Sequence, residues 1–169
     1  MEITLRQWTK HDTKELASLA NNVKIWNNLR DRLPHPYTIK NAEDFIAFCL
    51  HQKPQQVFAI EHEKKFVGCV GLELKDDVYK CTAEIGYWIG EPYWGKGIAT
   101  EAVRQIVDYI FETFGEIVRI YAEVFEYNQT SMKVLEKNGF HLESIRKDAV
   151  IKNGKVLSDY VWVRLRNNN

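Results

Sequence analysis

Cysteine is scarce in this chain: Cys49, Cys69 and Cys81 are odd in number, widely spaced and set in apolar sequence. That pattern excludes a disulfide framework and leads us to expect reduced core thiols. No apolar run approaches the ~20 residues that cross a bilayer, and Met1-Glu2-Ile3-Thr4-Leu5-Arg6-Gln7 has no basic stretch followed by an apolar one. A membrane partner is not expected, and a cytoplasmic location is. Neither sign of charge is in excess, with 23 basic against 23 acidic residues, so no global field draws the protein to nucleic acid or acidic lipid. Binding must come from a local site. His11, His35, His51, His62 and His141 form no H-x-x-x-H or Cys/His cluster, so no metal site is expected. The absence of G-x-S-x-G leaves a covalent serine mechanism without support.

What is present is 169 residues with no repeat and no linker, expected as a single domain over 1–169 that buries roughly 70% of the surface its unfolded chain would expose. Residues 3–8 read as a strand. A helix follows from about Asp12, a candidate N-cap, with Leu16, Leu19, Ala20 and Val23 at helical spacing. After the polar loop Arg30-Asp31-Arg32-Leu33-Pro34-His35-Pro36-Tyr37-Thr38, a short helix carries Ala42, Phe45, Ile46, Cys49 and Leu50 on one face. Runs 57–61, 66–74 and 82–90 are rich in β-branched and aromatic residues and suggest an antiparallel meander.

The longest periodic segment places Ala99, Val103, Ile106, Val107, Ile110, Phe111 and Phe114 on one helical face, with Glu101, Arg104, Gln105 and Asp108 opposite. Residues 118–125 are then expected as a strand, 129–137 as a short helix closed by Asn138-Gly139, and 140–151 and 156–166 as two strands around Asn153-Gly154. A strand, helix, strand order across 82–125 implies a crossover and a locally parallel pair. Asn167, Asn168 and Asn169 are expected to be a frayed end.

Residues 84–100 hold the chemistry: Glu84-Ile85-Gly86-Tyr87-Trp88-Ile89, the turn Gly90-Glu91-Pro92-Tyr93-Trp94-Gly95-Lys96-Gly97, and the helix start Ile98-Ala99-Thr100. Glycines let backbone approach a ligand, and the N–H groups of a helix start, backed by the positive dipole end, suit an anion such as phosphate. Residues 90–96 satisfy G-x-x-x-x-G-K, but Gly97 stands where a P-loop needs a Ser or Thr for Mg²⁺. The dinucleotide fingerprint also fails, because no long βαβ frame precedes the glycines.

The run Trp94-Gly95-Lys96-Gly97-Ile98-Ala99 resembles the acetyl-CoA motif Gln/Arg-x-x-Gly-x-Gly/Ala of the GNAT N-acetyltransferases, with Trp94 in place of the usual Gln or Arg. Further segments resemble the branch that includes the bacterial ribosomal-protein alanine and serine N-acetyltransferases. They are Leu33-Pro34-His35-Pro36-Tyr37-Thr38 with Ala42-Glu43, then Ala83-Glu84-Ile85-Gly86-Tyr87-Trp88, then Asn128-x-x-Ser131-x-x-Val134-Leu135-Glu136-Lys137-x-Gly139-Phe140.

The resemblance implies an α/β (α+β) domain with a mixed, mostly antiparallel sheet of about seven strands, splayed central strands and about four helices. It implies acetyl-CoA as cofactor, contacted by Trp88, Ile89, Trp94, Gly95, Lys96, Gly97, Ile98, Ala99, Thr100 and Asn128, with a backbone N–H near Trp88 or Ile89 facing the thioester carbonyl. Arg30, Asp31, Arg32 and Tyr37 fall in what would be the acceptor-binding loop, and Ser131 where a hydroxyl faces the CoA sulfur.

Acetyl transfer to an amine needs a neutral nitrogen, a polarised carbonyl and a proton for the leaving thiolate. Ser131 is the expected acid, with Tyr127 as an alternative, and Glu84 the expected base, its pKa raised by partial burial on an apolar strand. Each has a plainer reading: Ser131 and Asn128 as helix caps, Glu84 as a paired structural carboxylate, the loop charges as solvated side chains. An α-amine, pKa near ~8, needs less help than a lysine near ~10.4, so a weak base favours a protein N-terminus as acceptor, ribosomal in the resembling branch. The alternatives are a small amine (polyamine, amino acid or aminoglycoside) and a non-catalytic acyl-CoA sensor. Edge strands and exposed aromatics fit a monomer or a homodimer.

Overall fold

A computed structural model describes residues 2–166, so the end expected to fray at Asn167, Asn168 and Asn169 lies outside the described residues. Seven strands form one sheet in the order β1-β2-β3-β4-β5-β7-β6, where β1 is Ile3–Arg6, β2 Val57–His62, β3 Lys65–Leu74, β4 Thr82–Ile89, β5 Arg119–Phe125, β6 His141–Lys152 and β7 Lys155–Leu165. Among the described residues five α-helices accompany it: α1 Thr13–Ala20, α2 Val23–Trp26, α3 Ile39–Leu50, α4 Ile98–Thr113 and α5 Gln129–Lys137. The chain forms two compact units, Met1–Gly71 with Tyr87–Ala102 and Leu72–Gly86 with Val103–Asn169, and β3, β4 and α4 each contribute to both.

In the first unit β1 and β2 pair antiparallel from Ile3↔His62 to Arg6↔Ala59, and β2 pairs with β3 from Val57↔Gly71 to His62↔Lys65. Trp8, Leu16, Ala20, Tyr37, Ala42, Ile46, Cys49, Phe66 and Cys69 make its core. Trp8 anchors that core, with ring centroids 5.3 Å from Phe45 and 5.2 Å from Phe66. Aromatic pairs of this kind add about 1 kcal/mol beyond their buried area. Thr38 and Asn41 close a capping box at the start of α3, as polar side chains there should.

Asp12 occupies the N-cap position of α1, as expected, but its side chain makes no capping bond to that helix. Its carboxylate accepts from Arg6 at 2.9 and 2.7 Å and from Thr9 N–H at 2.9 Å. Burial pushes its pKa up, and the Arg6 guanidinium and Thr9 outweigh that and hold it below the ordinary value. The helical spacing through Val23 also breaks. α1 stops at Ala20, and Asn22, whose Oδ1 accepts from Lys24 N–H at 2.9 Å, caps the separate turn α2. This turn is the fifth helix, beyond the four expected.

In the second unit β4 and β5 run parallel, Thr82↔Arg119 to Glu84↔Tyr121, as the crossover required. β5 pairs antiparallel with β7, and β7 with β6. Asn153 and Gly154 both take left-handed backbone (φ 52° and 71°) at the β6–β7 turn, the conformation that matches strand twist in a two-residue hairpin. Val103, Ile106, Val107 and Ile110 are fully buried, as their period demands. The Arg166 guanidinium donates to the carbonyls of Phe111, Phe114 and Ile117 at 2.8 to 2.9 Å; the first is one of the acceptors that the end of α4 leaves open, and the other two lie in the turn that follows. The three cysteines are free thiols, but only Cys49 and Cys69 are buried. Cys81 is exposed ahead of β4, outside the core that the sequence suggested.

Candidate functional site

The turn between β4 and α4 is built by local chemistry. Gly90 N–H donates to Val67 O at 2.8 Å and ends the strand. A single 3₁₀ turn, Glu91–Tyr93, follows, with Pro92 as its second residue, where its fixed φ and missing N–H cost nothing. The Trp94 indole donates to Ile89 O at 2.7 Å and folds the turn back on the strand. Gly95 and Gly97 follow with φ of 75° and 76°, a region from which L side chains are largely barred. Turns through left-handed backbone gather N–H groups into concavities that take anions.

Residues 94–97 are exposed and Ile98 is buried at 1%, so the turn presents main chain while α4 is anchored beneath it. The first α4 bond runs from Glu101 N–H to Gly97 O, leaving helix geometry to offer Ile98 and Ala99 N–H no acceptor within the helix. Lys96 Nζ lies 5.4 Å from the Tyr93 ring centroid and adds a cation beside them. A Cβ built on Gly95 meets nothing within 4 Å, so the approach to the backbone is open, and the turn fits a diphosphate.

Trp88 and Ile89 end β4 against the same unit. The Trp88 ring is 6.1 Å from Phe66, and Ile89 is buried. Gly68 on β3 permits that approach: a Cβ there would sit 2.4 Å from Trp88 O and 3.1 Å from Ile89 Cα. Gly68→Ala should therefore push the end of β4 aside and cost about 1 to 3 kcal/mol, a loss to be read from urea unfolding.

Glu84 is not shaped by burial alone. Its Oε2 accepts from Lys75 Nζ at 2.9 Å and from the Tyr121 hydroxyl at 3.0 Å. Lys75 also bonds Glu73 at 2.8 Å. Burial lowers the Lys75 pKa, and the bonds to Glu73, Glu84 and Tyr121 overcome it, so the ammonium is held charged. Burial, followed by the Glu84 charge, raises Tyr121. Partial burial is therefore joined by a charge partner: of the two readings, the carboxylate has the ion pair that the paired one required, with an ammonium on it. A pocket of about 380 Å³ beside this group is lined by Lys75, Asp76, Tyr79, Thr82, Arg119 and Tyr121. The sequence reading missed Lys75 and Tyr121. The one signal was Glu84 itself, since a charge on an apolar strand demands a partner without naming it.

Asn128 is the N-cap of α5, its Oδ1 accepting from Ser131 N–H at 3.2 Å. Ser131 is therefore the capped residue and not the cap. Tyr127 is half exposed, its hydroxyl pushed up by partial burial. Arg30, Asp31 and Arg32 are exposed between α2 and α3. Tyr37 is different: it is 5% exposed within the core, and its N–H donates to Asn21 Oδ1 at 3.0 Å. Its ring packs the interior instead of walling an acceptor loop, which corrects that expectation. Among the described residues no group of three or more His, Cys, Asp or Glu is placed to hold a metal ion.

Residues 2–141 match the family described as the acetyltransferase (GNAT) domain. The chain belongs to the GNAT acetyltransferase family. Among GNAT relatives, the probable N-acetyltransferase YjcK of Bacillus subtilis is 51% identical over 73 residues, which cover 43% of this chain but only 40% of that protein. The ribosomal-protein-serine acetyltransferase of Escherichia coli is 29% identical over 157 residues, 89% of this chain and 86% of that enzyme. In fold, the chain is similar to the spermidine N-acetyltransferase from Vibrio cholerae crystallised with CoA and spermine, at TM-score 0.80 and 24% identity, covering 96% of this chain and 95% of that one. No helix among the described residues is long and apolar enough to cross a membrane.

Proposed function

We propose that residues 1–169 act as one cytoplasmic acetyl-CoA-dependent N-acetyltransferase domain whose acceptor is a protein N-terminal α-amine. The observation that carries the reading is the turn 94–97, with main chain exposed at two left-handed glycines ahead of a buried helix start, in a chain of the GNAT family. When bound, acetyl-CoA supplies an activated thioester acetyl group. The N–H groups of Gly97, Ile98 and Ala99 hold its diphosphate, with Lys96 as countercharge, and the Trp94 indole fixes the turn from which they project. Thr100, one residue on, completes the contact. A backbone N–H at Trp88 or Ile89 stabilises negative charge on the thioester oxygen. Asn128 orders the start of α5 and would contact the pantetheine arm; as the amine nitrogen bonds the acetyl carbon and the C–S bond breaks, the Ser131 hydroxyl would protonate the departing thiolate and regain a proton from the one the amine loses to Glu84 or water.

Glu84 distinguishes the acceptors. A carboxylate carrying the Lys75 ammonium is a weak base, acting directly or through water. That is sufficient for an α-amine with pKa near ~8 and poor for a lysine near ~10.4. Similarity to a ribosomal-protein-serine acetyltransferase over most of both chains supports the same choice. Arg30, Asp31 and Arg32 supply charge for the backbone and side chains of the acceptor.

The test is thiol release from acetyl-CoA across peptides beginning with Ala, Ser or Thr and a panel of polyamines, amino acids and aminoglycosides, with CoA calorimetry alongside. Turnover confined to peptides is expected. Turnover on small amines alone would replace this acceptor with the one named for the spermidine enzyme, and CoA binding without turnover on either panel would favour a sensor.

A further inference from the structure

One carboxylate in the unit Met1–Gly71 with Tyr87–Ala102 joins the cofactor turn to the segment that carries Arg30, Asp31 and Arg32. Glu91 follows Gly90 in the 3₁₀ turn ahead of the seat. Its Oε2 accepts from Asn22 Nδ2 at 2.7 Å, and its Oε1 accepts from the Lys24 ammonium. The same Asn22 caps α2 through its Oδ1, so both side chains on Glu91 belong to the start of that helix. Leu19 of α1 packs on the neighbouring Gly90, its methyl carbons 3.0 Å from where a Gly90 Cβ would lie.

α2 in turn holds the loop beyond it. The Trp26 indole donates to Leu33 O at 3.1 Å and its ring stacks on His35 at 5.4 Å, while Asn21 accepts the Tyr37 N–H at 3.0 Å. Residues 27–38 contain no helix or strand, and these side-chain ties act with backbone bonds such as Leu29 N–H to Trp26 O and Leu33 N–H to Arg30 O, both 3.1 Å, to hold their path. A carboxylate beside a seat for a polyanion would repel it. Lys24 first and Asn22 second hold Glu91 below the usual carboxylate range and offset that charge.

We propose that Glu91 is a positioning residue: ordering of the cofactor turn by a bound diphosphate is passed through Glu91 to Asn22 and Lys24, and fixes α2 and the acceptor loop after it. The inference rests on the acceptor role given above to residues 30–32. Binding of the two substrates is then coupled, the cofactor preparing the acceptor site.

Hydrogen exchange of the whole protein with and without CoA, on wild type, Glu91→Ala and Glu91→Gln, tests it. CoA should raise protection of the amides of Ile25, Trp26, Leu33 and Tyr37 in wild type and leave them unchanged in Glu91→Ala. Glu91→Gln, which keeps the Asn22 bond and loses the Lys24 charge, should lie between. With an acceptor from the panel above, Glu91→Ala should raise acceptor KM about fivefold at nearly constant kcat, the lower end of measured couplings, and change CoA affinity by less than about twofold. Equal CoA-dependent protection in wild type and Glu91→Ala overturns the coupling. So does a loss of CoA affinity at unchanged acceptor KM, which would make Glu91 a cofactor-side residue. Wild type that fails to bind CoA in calorimetry brings down the function itself, whereas CoA binding with no change at these four amides brings down the coupling alone.

Discussion

Gly97→Val is expected to abolish CoA binding and leave a folded protein. Gly97 has φ 76°, and a β-branched residue there is forced either to bear that backbone or to leave it. Bearing it costs about 1 to 2 kcal/mol, a melting temperature lower by roughly 2 to 8 °C for a chain of this size. Leaving it turns the N–H groups of 97–99 away from the diphosphate. Losing even two of these three hydrogen bonds to a charged group, at about 1.5 to 3 kcal/mol each, corresponds to a loss of at least about 100-fold in affinity. Gly154→Val is the control. It carries the same strain at φ 71° in an open hairpin turn with no proposed cofactor contact, so it should lower the melting temperature without changing CoA affinity. Calorimetry on both variants decides the matter. Unchanged affinity in Gly97→Val would show that the diphosphate sits elsewhere.

The largest loss of stability is expected at Arg146→Met. Asp159 on β7 is 1% exposed, and the Arg146 guanidinium on β6 bonds both its oxygens, one of them at 2.9 Å, while reaching Glu123 on β5 at 2.8 Å. Removing the arginine leaves a buried carboxylate without its cation, which costs about 3 to 5 kcal/mol. The reverse change is milder. Arg146 keeps Glu123, and its side chain is 45% exposed, so in Asp159→Asn the guanidinium retains a carboxylate partner and solvent. Urea midpoints should fall much further in Arg146→Met than in Asp159→Asn. Equal midpoints would mean that Asp159 draws its compensation from the surrounding sheet and not from Arg146.

Both expectations depend on features that the sequence exposed to different degrees. The Gly95 and Gly97 turn, the α4 stripe from Val103 to Ile110, and the Asn153-Gly154 hairpin were legible because each is decided within a few residues. Backbone sterics select glycine where φ is positive, and a 3.6-residue period selects the buried face. The Asn128 cap is of the same kind, its acceptor and the Ser131 donor lying three residues apart. The end of α1 was misread because apolar spacing continues to Val23 while the Asn22 side chain restarts the helix, and a count of apolar residues does not register a competing hydrogen bond.

By itself, then, the sequence determined the order and kind of the elements other than the short α2, together with the anion-seating turn and the family to which its motifs belong. Strand order and register decided the rest. Lys75 is nine residues from Glu84 and Tyr121 is 37, and only the pairing of β4 with β5 brings Tyr121 opposite that carboxylate. Asn22 and Glu91 are 69 apart, and Arg146 meets Asp159 because β6 and β7 pair at that register. The same packing drew Tyr37 into the core and left Cys81 outside it. The physical reason is one of range: conformational preference acts within a turn or two of chain, whereas the partner of a charge or the burial of a ring is set by whichever distant segment the sheet lays beside it.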